Sequence, residues 1–115
     1  MDEQSERRLT ENEVIFRQAN KDMKDFLQDM GTVDHAMVSF FCECSDTNCR
    51  GRIDLSAQTY KDLHKAKQHF MVLPGHSIPE LEKIIQHGKG YDVVEKLGEV
   101  PGDDDINQAL RRLTY

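Results

Sequence analysis

Every cysteine of the chain lies within "FFCECSDTNC", from Phe40 to Cys49: Cys42, Cys44 and Cys49. Side chains two apart on an extended strand share a face, so Cys42 and Cys44 point the same way. "SDTN" after them is turn chemistry, because Ser, Asp and Asn side chains bond their own backbone. A turn there reverses the chain and returns Cys49 to the first two thiols. The cluster thus predicts a hairpin with a thiol-lined knuckle at its tip.

The compartment decides what such a knuckle does. The opening "MDEQSERRLTENE" has no apolar run and no cleavage site of a signal peptide. No apolar stretch reaches the roughly 20 residues of a membrane span. The expected location is the reducing cytoplasm. There an odd number of clustered thiols reads as metal ligands or a redox site rather than as structural disulfides. The expected cofactor is zinc, which in a structural site takes four ligands.

Five histidines compete for the fourth place. His35 lies roughly 23 Å from Cys42 on the same extended strand, out of reach. His64 falls among lysines of a helix and is expected in solvent. His87 flanks the "GKG" tip and is expected on the surface. His69 starts a strand and stays open. His76 is the best choice: in "LPGHSIP", proline fixes φ and glycine lets the backbone turn sharply, so the next side chain can be aimed. Asp46 is a weaker, oxygen-donor candidate.

The rest of the chain reads as one α+β domain. At 115 residues it is too short for two cores, and without Trp its core rests on Phe, Leu, Ile, Val and Met. Residues 1–8 are charged and are expected to be a flexible N-terminus. An amphipathic helix spans 9–31, with Phe16, Ala19, Met23, Phe26 and Met30 at helical spacing on one stripe. Thr10 and Glu13 suit a capping box at its start and Gly31 a stop. The stripe either docks on the domain or binds a partner. Residues 32–100 form the zinc-stabilised α+β domain. It holds a strand over 36–42, a return strand at "GRIDL", a middle helix over 57–68 capped by Ser56, and a strand at "HFMVLPG". A hairpin closes it, its strands flanking "GKG". The middle helix turns Tyr60, Leu63 and Lys67 or Ala66 inward. Residues 101–115 are an acidic extension whose Asp103 to Asp105 start a short C-terminal helix that Arg111 and Arg112 close.

The chain resembles a family of small, uncharacterised bacterial proteins. Their pattern runs from "NExxFRxxN" through "FxCECxxxxC" and "xIxLTxxEY" to "FxVxPGHxxPxxExV" and "YxVVEK". Here stand Asn12-Glu13, Phe16-Arg17 and Asn20, then "FFCECSDTNC", "RIDLSAQTYKDL", "FMVLPGHSIPELEKI" and "YDVVEK". The likeness covers roughly residues 11–100. Ser45 stands where Gly is common, and Ser56 replaces Thr. The resemblance implies that Cys42, Cys44, Cys49 and His76 form one zinc set. It carries no activity.

Function follows from the expected ligand count. Four protein ligands leave zinc no open position, which points to a structural ion in a protein-interaction or regulatory module, with the Phe16 to Met30 stripe as its partner surface. The expected partner is another protein. A catalytic zinc needs an open position and a nearby base such as Glu43 or Asp46. No H-E-x-x-H pattern, deaminase pattern or Gly-rich phosphate loop occurs, so an enzyme is not expected. Arg50, Arg52, Lys61, Lys65 and Lys67 outnumber Asp54 and Asp62 in residues 50–70, which offers a basic face to nucleic acid. The net charge of -6 disfavours that partner and an anionic membrane surface alike. A redox sensor is the remaining alternative, since zinc-bound thiolates can be oxidised.

Overall fold

The computed structural model describes residues 3–31, 33–98 and 100. The expected C-terminal helix lies outside them. The fold is α+β, as the sequence predicts. A long helix α1 (Glu3–Asp29) leads to strands β1 (Met37–Phe41) and β2 (Arg52–Ser56). A short helix α2 (Ala57–Leu63) and strands β3 (His69–Val72), β4 (Glu82–Gly88) and β5 (Tyr91–Lys96) follow.

The strands form two antiparallel sheets rather than one. β1 pairs with β2, and a second sheet runs β3-β5-β4. In the first, Phe40 faces Ile53 and Val38 faces Leu55 on the buried side, while Met37, Ser39, Arg52 and Asp54 alternate outward. This is the period-2 pattern of a sheet with one wet face. β4 and β5 form the expected hairpin through Lys89-Gly90, with Gly88 opposite Tyr91. β5 is the central strand and is buried almost throughout.

The two sheets meet where the chain leaves β1. Glu43 N donates to Met71 O at 2.9 Å, and Met71 N donates to Glu43 Oε1 at 2.9 Å. The free edge of β3 is thus closed by the cysteine-bearing segment. Two apolar clusters fill the interior. One joins Val14, Cys42, Cys44, Phe70, Val72, Val94 and Val100; the other joins Val38, Phe40, Ile53, Leu55, Tyr60, Met71, Tyr91 and Val93.

α1 departs from its sequence pattern in two ways. It starts at Glu3, so Thr10 and Glu13 lie inside it rather than in a capping box. Its buried positions are also polar: Thr10, Glu13, Asn20 and Lys24 join Val14 there. That face lies about a third of a turn from the apolar stripe. Of the stripe, Met23 packs against the second cluster, Phe16 and Ala19 are half-buried, and Phe26 and Met30 are 63% and 72% exposed. Glu13 meets the buried Lys96, which also reaches Glu82 Oε1 at 3.4 Å. Gly31 does close the helix, its N–H reaching Gln28 O at 3.0 Å.

α2 is shorter than expected. Ser56 caps it as predicted, its hydroxyl accepting from Thr59 N at 3.1 Å. The helix stops at Leu63, so Ala66 and Lys67 are not on its inner face. The cause is His64, whose ring turns back to Tyr60 O at 2.7 Å and inward to a carboxylate.

Candidate metal centre

The knuckle is built in three pieces. Cys42 and Cys44 follow β1 and stay buried on one side of an extended segment. Asp46 then makes the turn: its carbonyl accepts from Cys49 N at 3.0 Å and its carboxylate from Asn48 N at 2.9 Å. Gly51 finishes the return, its carbonyl accepting from Cys42 N at 3.2 Å. A Cβ on Gly51 would stand 2.0 Å from Leu73 Cδ1 and 3.5 Å from Cys49 Sγ, so this close approach needs glycine.

The fourth residue of the set comes from the loop after β3. Pro74 and Gly75 sit at the corners of a turn in which His76 N donates to Leu73 O at 3.0 Å, with Gly75 at φ 85. Proline at the second position and glycine at positive φ in the third are the type II signature. The turn carries the His76 ring to the thiols: Nδ1 is 3.7 Å from both Cys42 Sγ and Cys49 Sγ. The four donor atoms of Cys42, Cys44, Cys49 and His76 all lie within 4.8 Å of one another, a set that can hold a metal ion. The sequence reading thus named all four. His69 instead faces Glu95 at 3.3 Å, His87 faces Asp92 at 2.7 Å on the surface, and His35 is exposed.

Leu73 N–H donates to Cys42 Sγ at 3.2 Å and Gly51 N–H to Cys49 Sγ at 3.4 Å. The neighbouring Cys42 thiol holds Cys44 down to about 5, while Cys44 and burial push Cys42 up. All three cysteines are free thiols.

Glu43, between the two buried cysteines, points the other way, as strand alternation requires. It is fully buried. Oε1 meets His64 Nε2 at 2.7 Å and Met71 N; Oε2 meets Asn20 Nδ2 at 2.9 Å and the Tyr60 hydroxyl at 2.8 Å. Burial pushes its carboxyl up, but the neighbouring His64, Asn20 and Met71 N–H outweigh that and hold it below the usual range. Burial and the Glu43 charge together push the Tyr60 phenol up. His64 is therefore an interior residue with its side chain 9% exposed, and the solvated helix position read from its lysine neighbours is wrong.

The sequence reading missed this network. Its one available signal was the polar set Asn12, Glu13, Arg17 and Asn20 inside a helix otherwise judged by its apolar stripe. Asn12 Nδ2 donates to Ser45 O at 3.1 Å, and Asn20 clasps Phe41 at both its N–H (2.7 Å) and its carbonyl (2.9 Å). Arg17 lies over the Phe70 ring at 4.1 Å and bonds His69 O at 3.0 Å; burial lowers its pKa.

Among the described residues, no helix is long and apolar enough to cross a membrane. Compared with protein-family models, curated proteins and solved structures, the chain matches none.

Proposed function

We propose that this chain is a small zinc-binding protein that acts by binding another protein, its zinc a structural ion held by Cys42, Cys44, Cys49 and His76. The observation that carries the reading is the converged donor set. Sulfur and nitrogen ligands of a tetrahedral zinc lie about 3.6 Å apart at usual bond lengths; here both sulfur-to-Nδ1 distances are 3.7 Å. Three soft sulfurs and an imidazole select zinc over calcium or magnesium. Four protein ligands fill the tetrahedron, and Glu43, the nearest carboxylate in sequence, is committed to four other groups on the far side of the chain. No turnover at the metal follows from such a site.

Partner binding is assigned to the exposed end of the α1 stripe, Phe26 and Met30. Large apolar side chains left in water beside each other on a helix favour burial against a second surface. The basic face of residues 50–70 is less suited to nucleic acid, because Arg52 stacks over Phe41 at 3.9 Å and Lys61 reaches Asp34 at 3.6 Å. A redox response has one observation in its favour: Cys49 is half-exposed and His76 exposed, so an oxidant meets that side of the set first.

X-ray absorption at the zinc edge of the purified chain tests the reading. Three sulfur neighbours and one nitrogen are expected. A shell containing water or an exchangeable anion would overturn the closed site.

A further inference from the structure

The segment that carries the metal set has two sides with different duties. Cys42 and Cys44 face the donor cluster. The asparagines of α1 bond the same segment elsewhere: Asn20 the backbone of Phe41 and the carboxylate of Glu43, Asn12 the backbone carbonyl of Ser45. Asn12 and Asn20 are eight apart, so they stand on one face of the helix about 12 Å from each other along its axis. They grip the segment at both ends: Asn20 at Phe41 and Glu43, Asn12 at Ser45. Val14, between them, packs in the same cluster as Cys42 and Cys44.

We propose that Asn12 and Asn20 are positioning residues of the metal site, so that metal binding and the docking of α1 are coupled. The proposal rests on the metal reading of the four-residue set and deepens it: metal occupancy becomes legible at the helix that carries Phe26 and Met30. The physical reason is geometric. Two of the four donors leave the backbone of residues 42–44, and α1 holds the carbonyls of Phe41 and Ser45 on either side of it and the Glu43 carboxylate within it. Outer partners that orient metal ligands are typically worth about 10–100-fold in affinity. Coupling of binding equilibria is reciprocal, so whatever α1 adds to metal affinity the metal adds to α1 docking.

The test uses the full chain and zinc alone, titrated against a chromophoric chelator. Asn12→Ala with Asn20→Ala is expected to weaken zinc binding by about tenfold or more. Should that double variant fail to fold, Asn12→Asp replaces it. That isosteric change turns the donor into an acceptor facing the Ser45 carbonyl and leaves the buried Asn20 intact; a loss of about threefold or more is expected. Hydrogen exchange gives the reciprocal readout, which a purely structural asparagine would not move. Chelating zinc from the unmodified chain should raise amide exchange in α1 from Asn12 to Lys24 well above any rise in β4 and β5. Wild-type chain that binds zinc, with variants within about twofold of it, overturns the proposal, as does exchange that rises equally in α1 and β4–β5. Wild-type chain that binds no zinc overturns the metal reading itself, a different failure seen before any variant is made.

Discussion

His64 Nε2 lies 2.7 Å from Glu43 Oε1, and Glu43 stands between two cysteines of the metal set. The pair joins the end of α2 to the segment that closes the edge of β3. An interior carboxylate is tolerable only with its oxygens satisfied, and here four donors meet it.

Removing one of those donors should be expensive. His64→Ala is expected to destabilise the fold by about 3–5 kcal/mol, the usual cost of breaking a buried ion pair. Glu43→Gln should be of similar size. The double variant should cost clearly less than the two together, since each single change strands the other group. Urea unfolding of the three chains measures this. Additive costs would mean that the pair does not act as a unit.

A second buried carboxylate gives the chain a pH slope. Burial, then the neighbouring Glu82, raises Glu13 from 4.5 to about 8, against the opposing Lys96 ammonium. The folded chain therefore keeps a proton that the unfolded chain gives up near pH 4.5. The contribution of Glu13 to stability is complete below that pH and shrinks as pH rises through about 8. Glu13→Gln stays neutral in both states and should flatten the slope. Unfolding midpoints measured from pH 5 to pH 9 decide it: a slope unchanged in the variant assigns the effect elsewhere.

The histidines separate sharply by role. His76→Ala should lose zinc affinity by more than the about 10–100-fold typical of outer partners, because it removes a donor outright. His35→Ala, at an exposed residue far from the cysteines, should leave both metal and fold unchanged. Chelator competition and thermal melting compare the two. Equal zinc affinity in His76→Ala would put the fourth ligand elsewhere.

What the sequence disclosed, and what it hid, divides along physical lines. The convergence of the four residues was legible because their types are rare and their spacing short: three thiols around "SDTN", and a histidine aimed by Pro-Gly. The strands were legible from their β-branched, aromatic and apolar runs and the turn residues that bound them, and the bounds of β1 and β2 shift by a residue. α1 misled because the apolar stripe is the strongest periodic signal in it, whereas the side it buries is held by Glu13, Arg17 and Asn20. Polar burial leaves no trace in a hydrophobic pattern, since its partners, Lys96, the carbonyls of Phe41 and His69, and Glu43, are distant in sequence. His64 was hidden for the same reason: its lysine neighbours describe the outer face of α2, and its own partner is 21 residues away.

Gly51 tests how tightly the two halves of the metal set are fitted together. It belongs to the Cys49 side, and Leu73, which its missing Cβ would strike, leads into the turn that aims His76. A methyl at Gly51 would lie 2.0 Å from Leu73 Cδ1 and 3.2 Å from its Cγ, so the whole leucine side chain has to move rather than its tip alone. Leu73 is not free to do so, because it packs on both apolar clusters while its N–H holds Cys42 Sγ. Gly51→Ala is therefore expected to cost about 1–3 kcal/mol, the range for overpacking a filled site, and to weaken zinc binding at the same time. Leu73→Ala on its own should cost about 2–4 kcal/mol as a cavity. Combined, the two should recover part of both losses, because the new methyl enters the space that the leucine vacates. Denaturant unfolding with and without chelator reads the stability, and chelator competition reads the affinity. A double variant as damaged as the sum of its parts would mean that Gly51 is required for its backbone conformation and not for the close approach of Leu73.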